Sequence, residues 1–276
     1  MVEWFKLIDK GVIIVAETVL ITGASGGLGK ALAEVFAEHG FNLVLVARSE
    51  NKLKTICAGL MNHYGINAEY IVENLSDTTA PQRIYDEVVR RGLHIDQLIN
   101  NAGSGNMALV GDANMQIMVD TIHLNVTALT LLCNLFVPHM KASGKGKILN
   151  VSSLGAFQPD PYFAVYGATK AYGLLFTQSL YGELLGTGVT ASVFCPGPIK
   201  TNWASNAGKA DSKIAKDAGL IARIAYRKMQ KGKLVIIPTF LYKTEAFAMR
   251  IAPKTLAARI IRKWQSNLIS QRKENA

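Results

Sequence analysis

A serine, a tyrosine and a lysine are spaced so that they could perform acid–base chemistry on a carbonyl or alcohol oxygen. Ser153 follows an apolar run, Tyr166 comes thirteen residues later, and Lys170 stands four residues after the tyrosine. Residues four apart share a helix face, so the lysine ammonium can lie near the phenol. A phenol with a pKa of about 10 is a poor base at neutral pH, and a nearby cation favours its ionised form. The spacing predicts Tyr166 as proton donor or acceptor, with Ser153 hydrogen-bonding the substrate oxygen.

A glycine-rich segment stands between an apolar run and a segment of helical period; it reads Thr22-Gly23-Ala24-Ser25-Gly26-Gly27-Leu28-Gly29. Glycines let a backbone turn tightly and approach a pyrophosphate, whose charge is stabilised by free N–H groups at a helix start. Because Gly26 and Gly27 are adjacent, both a TGxxxGxG and a TGxxGxxG spacing fit. The alternative is a turn that only links strand to helix, but its position at the first βα junction favours dinucleotide binding.

Arg48 indicates which dinucleotide this loop would hold. It follows the second apolar run, at the strand end where an NAD-selective enzyme places a carboxylate for the ribose 2′-hydroxyl. A guanidinium suits a 2′-phosphate instead, and no acid competes at that position. The sequence therefore favours NADP(H) over NAD(H). The alternative is a solvated arginine that only opens a helix.

These residues need a scaffold, and the pattern of the chain predicts one. Short β-rich apolar runs alternate with longer segments of helical period, which is typical of a parallel sheet buried on both faces. The predicted strands are Thr18–Ile21, Asn42–Val46, Ala68–Val72, Gln97–Ile99, Lys147–Val151, Val189–Phe194 and Lys233–Ile237. They predict an α/β fold: a single doubly wound (Rossmann) domain over 1–240, with a seven-stranded parallel sheet and helices on both faces. Ligands in such folds bind beyond the carboxyl ends of the strands, where the residues above stand.

Residues 241–276 are predicted to form a C-terminal basic helical extension. They hold eight Lys or Arg and two Glu, so they contribute 8 − 2 = +6 to the net charge of +10. Apolar residues recur there at helical spacing with cations between them, which indicates an amphipathic helix. The apolar positions are Leu256, Ile260, Ile261, Trp264 and Leu268, and the cations include Arg259, Arg262 and Lys263. Two hypotheses stay open: this face packs on its own domain or a second subunit, or it contacts an anionic membrane.

Composition and cysteine spacing exclude several classes of protein. A chain of 276 residues with 49% hydrophobic and 18% charged residues is typical of a globular domain. Cys57, Cys133 and Cys195 stand far apart, so no metal site and no disulfide framework is predicted, and a reducing cytoplasm fits best. Asp9 and Glu17 interrupt the N-terminal apolar stretch, which we interpret as an irregular leader rather than a secretory signal. The sequence predicts no transmembrane run and no nucleic-acid-binding module.

Several motifs together resemble the classical short-chain dehydrogenase/reductase family. They are the segment 22–29, Asn100-Asn101-Ala102-Gly103, Asn125, Ser153, Tyr166-Gly167-Ala168-Thr169-Lys170 and Pro196-Gly197, in the family's order over about residues 17–240. The resemblance implies that Tyr166 is the acid/base, that Ser153 orients the substrate oxygen, and that Lys170 binds the nicotinamide ribose and lowers the tyrosine pKa. It also implies that Asn125 holds a water in a proton relay.

The resemblance implies a set of cofactor-binding residues as well: Thr22, Gly23, Ser25, Gly27, Leu28, Gly29, Arg48, Asn74, Leu75, Asn101, Ala102, Gly103, Tyr166, Lys170, Pro196, Gly197, Ile199 and Thr201. One departure concerns Asn74, where the family usually has an aspartate that recognises adenine. An amide still supplies an acceptor and donors, so weaker cofactor affinity is expected rather than none. The segment from Thr201 through Trp203 to about Met229 would form a lid over the substrate, with the tryptophan as an apolar wall.

The function that follows is an NADP(H)-dependent oxidoreductase that transfers a hydride between nicotinamide and a carbonyl or secondary alcohol. A weaker resemblance to fatty-acyl and hydroxysteroid-type reductases favours an apolar ketone or aldehyde, including lipid-like molecules. The family often forms homo-oligomers through the helices that include the Tyr166 segment. Three alternatives stay open: a non-catalytic NADPH-binding sensor, a nucleotide-sugar epimerase or dehydratase of the extended family, and a membrane or nucleic-acid binder driven by the C-terminal extension.

Overall fold

The computed structural model describes residues 7–9, 12–14, 16–209, 212 and 214–274. Near the N-terminus, β1 (Leu7–Asp9) pairs antiparallel with β2 (Val12–Ile14). The sequence predicted an irregular leader here and missed this pair of strands. Strands of three residues are too short for the apolar alternation that identifies a strand, because that pattern needs four to eight residues.

Seven further strands form one parallel sheet in the described part of the chain. They are β3 (Thr18–Thr22), β4 (Asn42–Ala47), β5 (Ala68–Val72), β6 (Gln97–Asn100), β7 (Gly146–Val151), β8 (Val189–Phe194) and β9 (Val235–Ile236). Their spatial order is β5-β4-β3-β6-β7-β8-β9, and every neighbouring pair is parallel. The predicted seven-stranded parallel sheet is confirmed, with a last strand shorter than the predicted 233–237.

Helices cover both faces of the sheet, as predicted. The described helices are α1 (Gly27–Glu38), α2 (Glu50–Tyr64), α3 (Ala80–Arg90), α4 (Met115–Ile122), α5 (Ala128–Ala142), α6 (Ala164–Glu183), α7 (Trp203–Asn206), α8 (Ala218–Gln230), α9 (Phe240–Ile251) and α10 (Lys254–Glu274). Buried side chains of α1, α2 and α8 form one core cluster. Those of α3, α5 and α6 form a second cluster. The sheet therefore has no solvent-facing side over its centre.

The central strands explain why the sequence shows continuous apolar runs. On β3, Val19 and Ile21 pack into the first cluster while Leu20, between them, packs into the second. Successive side chains of a strand point to opposite faces, so a strand covered on both faces needs apolar residues at every position. Each such side chain contributes roughly 1.5–3 kcal/mol when fully buried. The same burial holds the carboxyl ends of these strands in a fixed register.

α4 and α5 form one continuous helix over Met115–Ala142, joined by a π-helical turn at His123–Thr127. By length and composition alone this helix could cross a membrane, a feature that the sequence analysis missed. Leu132 and Phe136 nevertheless pack in the second core cluster against the sheet. The core helix of a globular domain can be equally long and apolar. The contacts of Leu132 and Phe136 with the sheet are those of a core helix.

The two C-terminal helices pack on the domain. Tyr242 of α9 is fully buried beside Gly197, and its hydroxyl donates to the carbonyl of Ile214 at 3.3 Å. On α10, the buried side chains include Ile261 and Gln265. Of the predicted apolar positions, Ile261 is buried whereas Leu256, Ile260 and Trp264 are exposed, and the side chain of Leu268 lies outside the described residues. The C-terminal helices are confirmed, and the boundary at residue 240 stays a prediction.

The contact between Gly197 and Tyr242 predicts a measurable stability difference. A Cβ atom at Gly197 would lie 2.5 Å from Cζ of the tyrosine ring, so Gly197→Ala must displace a packed aromatic side chain. We expect it to lower the free energy of unfolding by about 1–3 kcal/mol, measured by thermal denaturation without cofactor. The control is Gly59→Ala in α2, where nothing lies within 4 Å and alanine should raise stability by about 0.5–1 kcal/mol. An equal melting temperature for Gly197→Ala and the parent would contradict the packing.

Candidate active site

The residues predicted to do chemistry lie at one edge of the sheet. Ser153 follows β7, Asn101 follows β6, and the glycine-rich segment follows β3. β3 and β6 are spatial neighbours, whereas the chain leaves β3 for β4 on the other side. The winding reverses between β3 and β6, and a crevice forms at such a switch point in an open α/β sheet. The segments that follow β3, β6 and β7, which are distant in sequence, therefore meet at this crevice.

The glycine-rich segment is shaped by close backbone contacts. Gly23 has a φ of +68°, and a Cβ atom at Gly29 would lie 2.2 Å from the carbonyl oxygen of Gly23. Only glycine fits such a turn without displacing the backbone. α1 begins at Gly27 with no acidic residue in its first turn, so its free N–H groups and positive helix end face the crevice unopposed. Ser25 and Leu28 are half-buried on the same loop.

Hydrogen bonds fasten this loop to the segment after β6. The Thr22 hydroxyl accepts from the backbone N–H groups of Asn101 and Ala102, both at 3.0 Å. The Asn101 side chain donates to the Thr22 carbonyl at 2.9 Å. Asn101 therefore positions the glycine loop, a contact that the motif alone did not predict.

Arg48 and Asn74 lie beyond the ends of β4 and β5. The Arg48 side chain is exposed, and among the described residues no carboxylate lies within ion-pair distance of it. The Asn74 side chain accepts from the backbone N–H of Ser76 at 3.3 Å and closes a local turn, while Leu75 is buried in the core. A glycine cradle, a free helix N-terminus and an unpaired guanidinium fit the pyrophosphate and 2′-phosphate of a dinucleotide.

Tyr166 and Lys170 lie on the first turns of α6, close to the end of β7. The lysine Nζ is 5.7 Å from the centre of the Tyr166 ring and donates to the carbonyl of Val151 at 3.0 Å. The Ser153 hydroxyl accepts from the backbone N–H of Gly155 at 3.1 Å, which fixes its direction. The structure thus brings the serine, the tyrosine and the lysine together.

Asn125 joins the same group from the π-helical turn. Its side-chain amide donates to the Ser104 carbonyl at 2.8 Å and to the Thr169 hydroxyl at 2.9 Å, and its oxygen accepts from the Ser104 N–H at 3.0 Å. A Cβ atom at Gly103 would lie 3.0 Å from Lys170 Nζ and 3.3 Å from Asn125 Oδ1, so these two groups flank one glycine. Single π turns inside helices frequently lie at functional sites. Sequence analysis missed Thr169 although it stands inside the Tyr166–Lys170 motif.

Burial controls the protonation of this group. It raises the pKa of Tyr166 above its ordinary value, while a hydrogen bond with Ser153 opposes the rise and the Asp160 carboxylate adds to it. Burial also lowers the pKa of Lys170 to about 8. The resemblance implied that Lys170 lowers the tyrosine pKa, whereas desolvation is the largest influence on the pKa of Tyr166 in the protein alone. The phenol is therefore protonated at neutral pH.

The lid segment starts over the cofactor loop and the tyrosine. A Cβ atom at Gly27 would lie 3.2 Å from Thr201, so the stretch from Pro196 to Thr201 reaches the glycine loop; within it, Ile199 forms an isolated bridge with Lys216. The Trp203 ring lies 5.0 Å from the Tyr166 ring, and its N–H donates to the Gly103 carbonyl at 3.2 Å. The predicted apolar wall at Trp203 therefore contacts the tyrosine.

A narrow cavity opens beside Tyr166 between α4 and α6. Mostly small or apolar side chains line it: Asn106, Ala108, Val110, Ala113, Met118, Thr121, Ala164 and Val165. The Phe163 ring lies 5.6 Å from the Tyr166 ring and extends the apolar surroundings. The surroundings of Tyr166 on this side are therefore largely apolar.

Asp160 and Gln265 form a contact near the tyrosine that the sequence analysis missed. The Gln265 amide of α10 donates to the Asp160 carboxylate. Burial raises the pKa of Asp160 to about 6, and Lys209 opposes that rise. An isolated aspartate in a loop and a glutamine 105 residues later carry no pattern that pairs them.

Comparison with known proteins agrees with this geometry. A family model described as short chain dehydrogenase matches residues 17–212. The chain is 32% identical to the hydroxysteroid dehydrogenase-like protein 1 of Gallus gallus over 67% of its own length and 56% of that protein, and 35% identical to the ketoacyl reductase HetN of a Nostoc strain over 67% and 64%. It therefore spans less than two thirds of either relative.

Among solved structures, a short-chain dehydrogenase from Sphingobium yanoikuyae in complex with NADPH superposes with a TM-score of 0.77 at 30% identity, covering 86% of this chain and 96% of that one. The family model covers most of the chain, from β3 through Tyr166 and Lys170 to the lid. The chain therefore belongs to the short-chain dehydrogenase family, whose members are oxidoreductases that use a nicotinamide cofactor.

Proposed function

We propose that this chain is an NADP(H)-dependent oxidoreductase that moves a hydride between the nicotinamide and a carbonyl or secondary alcohol. The observation that carries the proposal is the meeting of Ser153, Tyr166, Lys170 and Asn125 at one crevice, beside a glycine cradle and a free helix N-terminus. Four polar groups from three segments of the chain converge there on one small volume. Dinucleotide binding alone does not explain why these four polar side chains meet.

In the direction of reduction, Tyr166 donates its proton to the substrate oxygen while Ser153 donates a hydrogen bond to the same oxygen. A nicotinamide cofactor, when bound, supplies or accepts the hydride. The raised pKa of the buried phenol keeps the proton on Tyr166 until negative charge develops on the substrate. Lys170 would bind the cofactor ribose, and Asn125 would hold a water through which the proton is replaced from solvent.

NADP(H) is the cofactor that we propose, with NAD(H) as the weaker alternative. The exposed, unpaired Arg48 beyond β4 supports this choice, because a guanidinium binds a phosphate through two parallel hydrogen bonds. The NADPH found in the Sphingobium yanoikuyae relative agrees with it. Thr22 to Gly29, Asn74-Leu75, Asn101 to Gly103 and Pro196 to Thr201 complete the proposed cofactor site.

The substrate that we propose is an apolar ketone or aldehyde, with lipid-like molecules included. The apolar cavity beside Tyr166 and the Trp203 wall support this class. The names of two relatives, a hydroxysteroid dehydrogenase-like protein and a ketoacyl reductase, agree with this class.

We also propose that the chain works in the cytoplasm as a homo-oligomer, with its basic C-terminal extension in peripheral contact with a membrane. Exposed apolar side chains on α6, including Tyr172 and Leu175, support self-association through that helix. The rival function is a non-catalytic NADPH-binding sensor on the same fold. The buried network around Asn125 and Lys170 favours the enzyme, because a sensor needs no proton relay.

Removal of the Tyr166 hydroxyl distinguishes the enzyme from the non-catalytic sensor. Tyr166→Phe should lower turnover of carbonyl substrates by roughly 10²–10⁴-fold, because the proton donor is lost. The assay follows NADPH consumption with medium- and long-chain aldehydes, β-keto thioesters, steroid ketones and diketones. Tyr172→Phe on the same helix is the matched control and should retain activity. NADPH binding with no turnover of any substrate by the parent chain would favour the sensor.

Reversal of one charge tests the cofactor. Arg48→Asp should weaken NADPH binding more than NADH binding, because the new carboxylate repels a 2′-phosphate and accepts from a 2′-hydroxyl. Dissociation constants for both cofactors are measured by fluorescence titration. Lys52→Asp, on the exposed surface of α2, controls for a general loss of positive charge. Equal losses for the two cofactors would overturn the assignment of Arg48.

A further inference from the structure

α9 presents an apolar stripe to solvent on the side opposite to its buried face. Phe240, Phe247 and Ile251 are 81%, 64% and 70% exposed and lie within one helical face. Tyr242 and Ala246, on the other side, are buried. Monomeric proteins rarely leave large apolar side chains clustered in water without a partner. The predicted extension over 241–276 includes Phe247 and Ile251, but the apolar positions named for it begin at Leu256, so this stripe was not predicted.

α10 repeats this arrangement. Leu256, Ile260 and Trp264 are about half exposed, whereas Ile261 and Gln265 are buried against the domain. The apolar residues that the sequence marked as a packing face therefore divide between the protein and the solvent. We call the exposed apolar side chains of the two helices the C-terminal apolar surface; they are Phe240, Phe247, Ile251, Leu256, Ile260 and Trp264.

Cations surround these apolar side chains with little opposing charge. The exposed ones are Lys243, Arg250, Lys254, Arg259, Arg262 and Lys263. Among the described residues, none of them lies within ion-pair distance of a carboxylate. The acid between them is Glu245, which is half-buried; burial raises its pKa, and the Lys209 charge opposes that rise. The Arg250 guanidinium lies 4.9 Å from the centre of the Phe157 ring, and the Lys254 ammonium donates to the Met249 carbonyl, so neither is neutralised by an acid. The positive charge of the six cations therefore has no carboxylate partner among the described residues.

Charge decides between two occupants of this surface. A second copy would bring the same six cations to the contact, and like charges oppose such an interface. The exposed apolar side chains of α6 lie in a helix without unburied lysine or arginine, so that helix suits self-association better. An anionic lipid surface offers negative headgroups to the cations and an acyl boundary to the phenylalanines.

We propose that the C-terminal apolar surface docks the protein on anionic membranes. This inference deepens the peripheral contact proposed above and assigns it mainly to α9, while it rests on no property of the catalytic group. Aromatic contacts connect the surface with the site: the Lys209 ammonium lies 5.1 Å from the Trp264 ring and 5.4 Å from the Phe163 ring, which contacts Tyr166. The apolar side of the crevice therefore lies close to the docking surface, where a lipid-like substrate could enter from the membrane.

The test uses the full chain and vesicles of two compositions, phosphatidylcholine alone and phosphatidylcholine with about one third phosphatidylserine. Co-sedimentation measures the bound fraction. We expect binding to the anionic vesicles at least tenfold tighter than to the neutral ones, with a decrease as salt rises. The double variant Phe247→Glu with Ile251→Glu should lose at least tenfold in binding. Met61→Glu with Val89→Glu, at exposed apolar positions on α2 and α3, is the matched control and should bind like the parent.

Three outcomes would overturn the proposal. They are absence of binding to anionic vesicles, equal loss in the control variant, and a smaller oligomer for the α9 variant on gel filtration, which would assign the surface to a second copy. NADPH turnover of a water-soluble carbonyl is measured on the same samples and should not change in the α9 variant. Failure of the proposed reaction would leave the sedimentation result unaffected, so the two proposals fail separately.

Discussion

The hydrogen bonds between Thr22 and the segment Asn101–Ala102 are the constraint on which the site depends. They join the loop after β3 to the loop after β6, where the winding of the sheet reverses. The first loop carries the phosphate cradle, and the second carries Gly103 against Lys170 and Asn125. A threonine oxygen that accepts two backbone N–H groups leaves neither donor unpaired in this half-buried place. The cofactor half and the chemical half of the domain therefore share one rigid junction.

The side chains of Ser153, Lys170 and Asn125 are held next to this junction mainly by hydrogen bonds with backbone atoms. Lys170 donates to the Val151 carbonyl, Asn125 exchanges two hydrogen bonds with Ser104, and Ser153 accepts from the next turn. Val151 belongs to β7, and Ser104 and Gly155 lie in the segments that follow β6 and β7, so these side chains are held without a substrate. Burial that would be costly for an isolated lysine or amide is offset by these hydrogen bonds. The group is preorganised for chemistry at an oxygen atom.

Local patterns predicted the parts of this structure that local physics determines. Strands buried on both faces need continuous apolar runs, and the glycine loop needs glycines where backbone segments touch. The missed features depend on partners distant in sequence. The contact between Gln265 and Asp160 joins α10 to a loop 105 residues earlier, and a polar glutamine gives no sign of burial. The apolar spacing on α10 likewise did not indicate which of its side chains face the protein. That choice depends on how α10 packs against segments distant in sequence.

The ring of Tyr242 has a consequence for how such a chain can diverge. It packs against the backbone at Gly197, just after β8, and its hydroxyl holds the Ile214 carbonyl in the segment that follows. One side chain of the C-terminal extension thus contacts the chain just before the predicted lid and also within it. An extension exchanged with that of a relative would alter the lid unless the new helix brought an equivalent ring. We therefore expect the sequences of the extension and of the lid to change together.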